Sequence, residues 1–128
     1  MPLGDLLVEI ERGVLFCLGE ANGAVLGVMG IQDKGDVALI RHAYVASNLQ
    51  RKGVGTRLLR HIEGLHDKPI LIGTWADAAW AIEFYERNGY RVVPASLKAG
   101  LLRTYWSIPE RQVETSVVLA DERWFSLQ

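Results

Sequence analysis

Between Val45 and Val54 the hydrophobic period of this 128-residue chain changes, and no other feature restricts its fold as much. Up to Val45 the segment from Val37 reads as a strand. Beyond it, Val54, Leu58, Leu59, Ile62 and Leu65 mark one face of a helix whose other face carries Arg57, Arg60 and Glu63. Asp67-Lys68-Pro69 ends that helix. Ile70-Leu71-Ile72-Gly73-Thr74 then forms a short apolar run suited to a buried parallel strand, reached from the preceding one through a helical crossover.

The flanks fit around this unit. Leu3, Leu6, Leu7 and Ile10 recur at helical spacing, giving a short helix that ends near Gly13. Val14 to Leu18 and Val25 to Ile31 read as strands joined through Asn22-Gly23, a pair that favours the positive φ angles of a hairpin turn. Asp33-Lys34-Gly35-Asp36 makes a second turn into the strand Val37 to Val45. Downstream, Asp77 is placed to cap a helix from Ala78 to Asn88, with Gly89 where a left-handed residue would close it. Tyr90 to Val93 reads as a strand and Ser96 to Trp106 as a helix, with Pro109 blocking its continuation and Val113 to Leu119 a last strand. The order predicts an α/β (α+β) fold, a mixed and mainly antiparallel sheet with helices packed on it. With no internal repeat or linker, residues 1–128 are expected to form a single domain, large enough to bury a core without disulfides or metal.

The bulk chemistry narrows the partners. A formal charge of −1 provides no long-range field to gather nucleic acid or an anionic membrane, so any anion site must be local. Cys17 is the only cysteine and sits among apolar residues, which points to an inert buried thiol and to no thiolate metal centre. No stretch approaches the roughly 20 apolar residues of a membrane span, and no basic segment followed by an apolar run opens the chain. A cytoplasmic protein is expected.

The candidate for such a local anion site is Gln50-Arg51-Lys52-Gly53-Val54-Gly55-Thr56, although a packing role would by itself explain two glycines at a helix start equally well. A strand–turn–helix junction aims the unpaired N–H groups of the first helical turn into one small space and adds the positive end of the helix dipole. Gly53 and Gly55 leave the backbone open to an approaching phosphate, and Arg51 and Lys52 can offset its charge. A pyrophosphate would fit. The spacing is neither that of a Walker loop nor that of a dinucleotide fingerprint.

Together with Tyr44-Val45 before it and Leu58-Leu59 after it, this segment resembles the Gln/Arg-x-x-Gly-x-Gly/Ala motif of the GNAT (Gcn5-related N-acetyltransferase) superfamily. Ala81-Ile82-Glu83-Phe84-Tyr85-Glu86-Arg87-Asn88-Gly89-Tyr90 resembles the family's Ala-x-x-Phe-Tyr-x-x-x-Gly-Phe signature, in the right order downstream. The resemblance covers roughly Val14 to Val93.

What it implies is acetyl transfer from acetyl-CoA to a primary amine on a small molecule or peptide, by direct attack in a ternary complex. The backbone of Gln50, Arg51, Lys52, Gly53, Val54, Gly55 and Thr56 would hold the CoA pyrophosphate, and the main chain at Tyr44 and Val45 would pair with the pantetheine arm. The strands Val37–Val45 and Ile70–Thr74 would splay around it. Tyr85 matches the tyrosine placed near the CoA sulfur, where a phenol can give a proton to the departing thiolate. Its alternative role is a core aromatic on the face of Ala78, Ala81 and Ile82.

The acceptor sets a second demand. An amine with a lysine-like pKa near 10.4 is neutral in roughly one molecule in a few thousand at pH 7, and only the neutral form attacks. His42, on the strand before the loop and alternating with Arg41 and Ala43, is the candidate base; water or a purely structural histidine is the alternative. Trp75 and Tyr105 are expected to line the acceptor side, with Trp80 and Trp106 assigned to packing and Glu110 and Glu114 to solvated surface.

Two departures from the family pattern stand out. Ala78 occupies a position where many members carry asparagine, and only the Leu3–Ile10 segment precedes the hairpin, where members usually place helices that wall the acceptor pocket. A homodimer partner would supply that wall, or the pocket would be more open. A non-catalytic acyl-CoA-binding module and a cofactor-free interaction domain are the competing readings.

Overall fold

The computed structural model of the protein describes residues 14–21, 24–45, 53–65, 67–106 and 108–128; of these, residues 14–21, 24–26, 42, 44 and 45 are described by backbone alone. The expected helix at Leu3–Ile10, the Asn22-Gly23 turn, His66 and the loop residues Gln50, Arg51 and Lys52 lie outside the described residues. The chain divides into two compact units, Met1–Asp67 and Lys68–Gln128.

In the first unit β1 (Val14–Ala21), β2 (Ala24–Asp33) and β3 (Ala38–Val45) form an antiparallel meander. The β2–β3 turn follows from its residues. The Asp33 carboxylate accepts a 2.8 Å bond from the Gly35 N–H, and Gly35 takes φ 90°, a left-handed conformation that glycine adopts without penalty. Helix α1 (Val54–Glu63) packs chiefly on β2. Its buried residues Val54, Leu58, Leu59 and Ile62 are four of the five in the stripe expected from the sequence; the fifth, Leu65, lies past the helix end and is exposed, and Met29 and Ile31 on one face of β2 belong to the same core. Leu59 and Ile62 are fully buried, each contributing roughly 1.5–3 kcal/mol of hydrophobic stabilisation.

One feature of β3 departs from the expected alternation. Gly30 faces Arg41 while Val28 faces Tyr44, so Met29 on β2 stands opposite two residues, His42 and Ala43. This is a β-bulge, which leaves an extra residue out of the ladder and re-aims what it carries. The bulge interrupts the regular register expected along β3. Arg41 itself is engaged, its Nη1 donating to Gln32 Oε1 at 3.1 Å.

In the second unit β6 (Ser116–Ala120) is flanked by β4 (Ile70–Trp75) and β5 (Arg91–Val92), antiparallel to both. Ile70, Leu71 and Ile72 and the facing Val118, Leu119 and Ala120 are almost wholly buried, whereas β4 emerges towards its end, with Gly73 and Trp75 exposed. Helices α2 (Ala79–Arg87), α3 (Ala95–Tyr105), α4 (Glu110–Thr115) and α5 (Glu122–Ser126) complete the unit. Ala81, Tyr85, Leu102, Val113 and Trp124 are the residues these helices bury.

Several local expectations need correction. Asp77 does not cap α2: Ala78 is the N-cap residue, without a side-chain cap, because the Ala78 N–H is turned back to the Trp75 carbonyl at 3.0 Å. Gly89, by contrast, takes φ 96° as expected. The apolar segment from Val113 is not strand throughout. Pro109, with its fixed φ, is the N-cap of α4, Glu110 favours the positive end of its dipole, and Val113 is its single buried residue before β6 begins at Ser116. Strand β5 covers only Arg91–Val92 of the expected Tyr90–Val93, and α5, capped by Asp121, had no counterpart in the sequence reading.

Candidate functional site

The junction between β3 and α1 begins with Gly53, the N-cap residue, at φ 85° and ψ 0°. Among the described residues no side chain caps the helix, and its first turn holds no acid to offset the positive end of the dipole. The Gly53 carbonyl accepts the Arg57 N–H at 3.0 Å, and the burial of Val54 anchors the helix start in the core. A Cβ built at Gly53 would meet no described atom within 4 Å. Gly55 and Thr56 follow in the first turn, half-buried. Such a helix start can hold an anion through backbone alone. Tyr44 and Val45, near the end of β3, pair with Val28 and Gly27 of β2, and His42 stands in the bulge just before them.

In the second unit Tyr85 lies on α2 beneath Ala78, Ala81 and Ile82, with only 6% of its surface exposed. Its ring meets those of Phe84 and Tyr90 edge-on, at centroid distances of 5.1 and 5.9 Å. Its carbonyl closes the helix, accepting the N–H groups of Asn88 and Tyr90 at 3.0 Å each. Burial pushes the phenol up to about 12, because desolvation disfavours the phenolate. Tyr85 is accordingly a neutral donor throughout the physiological range.

The two aromatics expected on the acceptor side lie in different places. Trp75, at the end of β4 opposite Ser116, is 59% exposed. Tyr105, the last residue of α3, lines an open cleft of about 300 Å3 with Leu97, Leu101, Thr104 and Trp124, a cleft that Trp75 does not border. Trp106 does more than fill space. Its indole lies over Gly73 so closely that a Cβ there would come within 3.1 Å of the ring. The signal available in the sequence was the glycine itself, which in a strand interior marks a close approach. Glu110 is held by Arg103 through two bonds of 2.9 and 2.8 Å, and this lowers its carboxyl pKa from the usual range. Glu114 is exposed. Among the described residues no group of three or more His, Cys, Asp or Glu side chains could hold a metal ion, and no helix is long and apolar enough to cross a membrane.

A meander leading into a helix that starts at a left-handed glycine, followed by a strand and a helix bearing a buried tyrosine, defines an α/β protein. The sequence profile of the Acetyltransferase (GNAT) domain matches residues 12–92, more than half of the chain. The protein belongs to this family.

Solved structures agree in fold. The PaiA N-acetyltransferase of Thermoplasma acidophilum, in complex with coenzyme A, has a TM-score of 0.70 at 17% identity over 92% of this chain and 69% of that one. The IAA acetyltransferase of Bacillus cereus gives 0.66 at 22% identity over 91% and 83%. A GNAT family acetyltransferase from Elizabethkingia anophelis with acetyl-CoA bound gives 0.67 at 18% identity over 92% and 82%. The expected fold class, an α/β (α+β) GNAT-like fold, is correct.

Proposed function

We propose that this protein transfers an acetyl group from acetyl-CoA to the nitrogen of a primary amine, as a single functional domain. The observation that carries the reading is the start of α1: a left-handed Gly53, no capping side chain among the described residues, and no acid in the first turn. That is the chemistry a pyrophosphate needs, and it lies within the segment matching the family motif. Arg51 and Lys52 would add positive charge, and the main chain at Tyr44 and Val45, beyond the bulge, would pair with the amide groups of the pantetheine arm.

In the reaction the lone pair of the neutral amine forms the C–N bond, the C–S bond breaks, the nitrogen loses a proton, and the departing thiolate is protonated by water after it leaves. Tyr85 is the donor to the sulfur. With its phenol near 12 it remains protonated, and it acts by hydrogen bonding to the developing thiolate. His42, or water held beside the bulge, receives the proton from nitrogen. The protein works in the cytoplasm, with a second copy completing the acceptor pocket.

Transfer of isotope-labelled acetyl from acetyl-CoA to a panel of polyamines, aminoglycosides, amino acids, arylalkylamines and peptides tests the proposal. Turnover with any amine supports it. Acetyl-CoA binding without turnover across the panel supports the non-catalytic module instead, and failure of acetyl-CoA to raise the melting temperature removes both.

A further inference from the structure

Strand β4 buries Ile70, Leu71 and Ile72 and then changes character, as Gly73 and Trp75 come to the surface on one face. The first of these positions carries no side chain and the second carries the largest. On bare backbone at Gly73 lies the indole of Trp106, with three of its ring atoms 3.1 to 3.4 Å from where a Cβ would stand. A Cβ there would force the ring to move, so the glycine is the seat of the indole. Gly73 nevertheless remains exposed, and Trp106 is only half-buried. The ring covers part of the shelf and leaves the rest to solvent. Two residues along the same face, Trp75 is 59% exposed.

We infer that the strip of β4 between the Trp106 indole and Trp75 is the specificity-determining surface for the acceptor, and that it selects a primary amine borne on a flat apolar body, an arylalkylamine or a peptide beginning in an aromatic residue. This rests on the acyl-transfer reading above and names its substrate class. A shelf of backbone with an indole on one side and another two residues away accepts a planar ring by edge and face contact, and offers little to a polyhydroxylated amine. Charge agrees with the occupant: Asp77, exposed two residues beyond Trp75, faces solvent at the turn into α2 and attracts the ammonium form before it is deprotonated. Connectivity agrees as well. The Ala78 N–H bonds to the Trp75 carbonyl at 3.0 Å, so the strip runs directly into the helix that carries Tyr85, about 10 Å further along its axis at 1.5 Å per residue.

The test compares 2-phenylethylamine with propylamine as acceptors, using the full chain with saturating acetyl-CoA. Wild-type kcat/KM is expected to favour the aryl amine by about tenfold or more. Trp75→Ala and Trp106→Ala should each reduce that preference by roughly tenfold, through a larger loss of kcat/KM with the aryl amine than with propylamine, and Trp106→Phe should restore most of it. Gly73→Ala should behave like Trp106→Ala, because its methyl displaces the same ring. Trp80→Ala, which removes an indole 75% exposed on α2, should leave the preference intact. Equal turnover of the two amines by the wild type, or equal losses for both amines in the Trp106 and Trp75 variants, overturns the inference while leaving acetyl transfer standing. Acetyl-CoA binding with no transfer to any amine overturns both.

Discussion

Tyr85→Phe removes one oxygen from a buried ring and keeps the edge-on contacts with Phe84 and Tyr90. Its effect on turnover can be worked from the environment of the phenol. Burial holds the hydroxyl at about 12, whereas a thiol ordinarily titrates near 8.5. Complete proton transfer to a thiolate would therefore be uphill by about 3.5 pKa units, or about 5 kcal/mol. A donor so mismatched contributes as a hydrogen bond to a charged acceptor, worth about 1.5–3 kcal/mol. The expected loss is about 10- to 150-fold in kcat, with little change in acetyl-CoA affinity. Thiol release with both substrates saturating measures the first, and calorimetric titration the second. An unchanged kcat would remove Tyr85 from the chemistry, and an affinity loss as large as the kcat loss would make it a packing residue.

The same group gives a pH signature in stability. The folded pKa is raised above the unfolded value of 10.0, so the associated stability is fully present below pH 10 and declines as pH rises towards 12. The decline reaches up to about 3 kcal/mol over that window. Urea unfolding at pH 9 and 11.5 should show the wild type losing more stability than Tyr85→Phe; parallel losses in the two proteins would contradict the burial argument.

Three further perturbations separate backbone, surface and cap. Gly53→Ala forces a side chain into the left-handed region at a cost of about 1 kcal/mol and, with no described atom within 4 Å of the new methyl, should weaken acetyl-CoA binding through strain; Gly53→Asn, which tolerates that region, should fall between, and equal affinities in all three would count against the anion cradle. Glu110→Gln should leave the KM for every amine unchanged, since the Glu110 carboxylate is already held by Arg103, and a raised KM would return it to the acceptor site. Asp121→Ala should destabilise the fold by about 1 kcal/mol in denaturant titration, because Asp121 Oδ1 accepts the Trp124 N–H at 3.1 Å to cap α5. Asp121→Asn should keep most of that, the Oδ2 contact to Arg123 Nε at 3.3 Å being an ion pair whose geometry does not make a hydrogen bond. A loss in the Asn variant equal to that in Ala would shift the weight to the ion pair.

What could be read from the chain was whatever a single segment determines. The stripe Val54, Leu58, Leu59 and Ile62 specifies both a helix and its buried face, because four residues at one period leave no second solution. Gly35 and Gly89 are legible for a similar reason, each taking the positive φ that its position after a turn or helix requires. Val113 is different: one buried apolar residue satisfies a strand and a helix equally, and the decision fell to Pro109 and Glu110 ahead of it. The bulge at His42 and Ala43 has no residue type that marks it, since it exists only in the register with β2.

Gly73 is the most instructive of these positions. Within its own segment it reads as one member of an apolar run, yet its reason for being glycine is an indole 33 residues downstream, at Trp106. A contact of that separation is set when the unit packs and leaves no periodicity behind. On the proposed reading, cofactor recognition on one loop can be read from local sequence because backbone amides at a helix start would do the work. Acceptor recognition would instead be assembled from side chains brought together by β4 and the end of α3, so the part of the proposed function that the sequence conceals is the part that long-range packing creates.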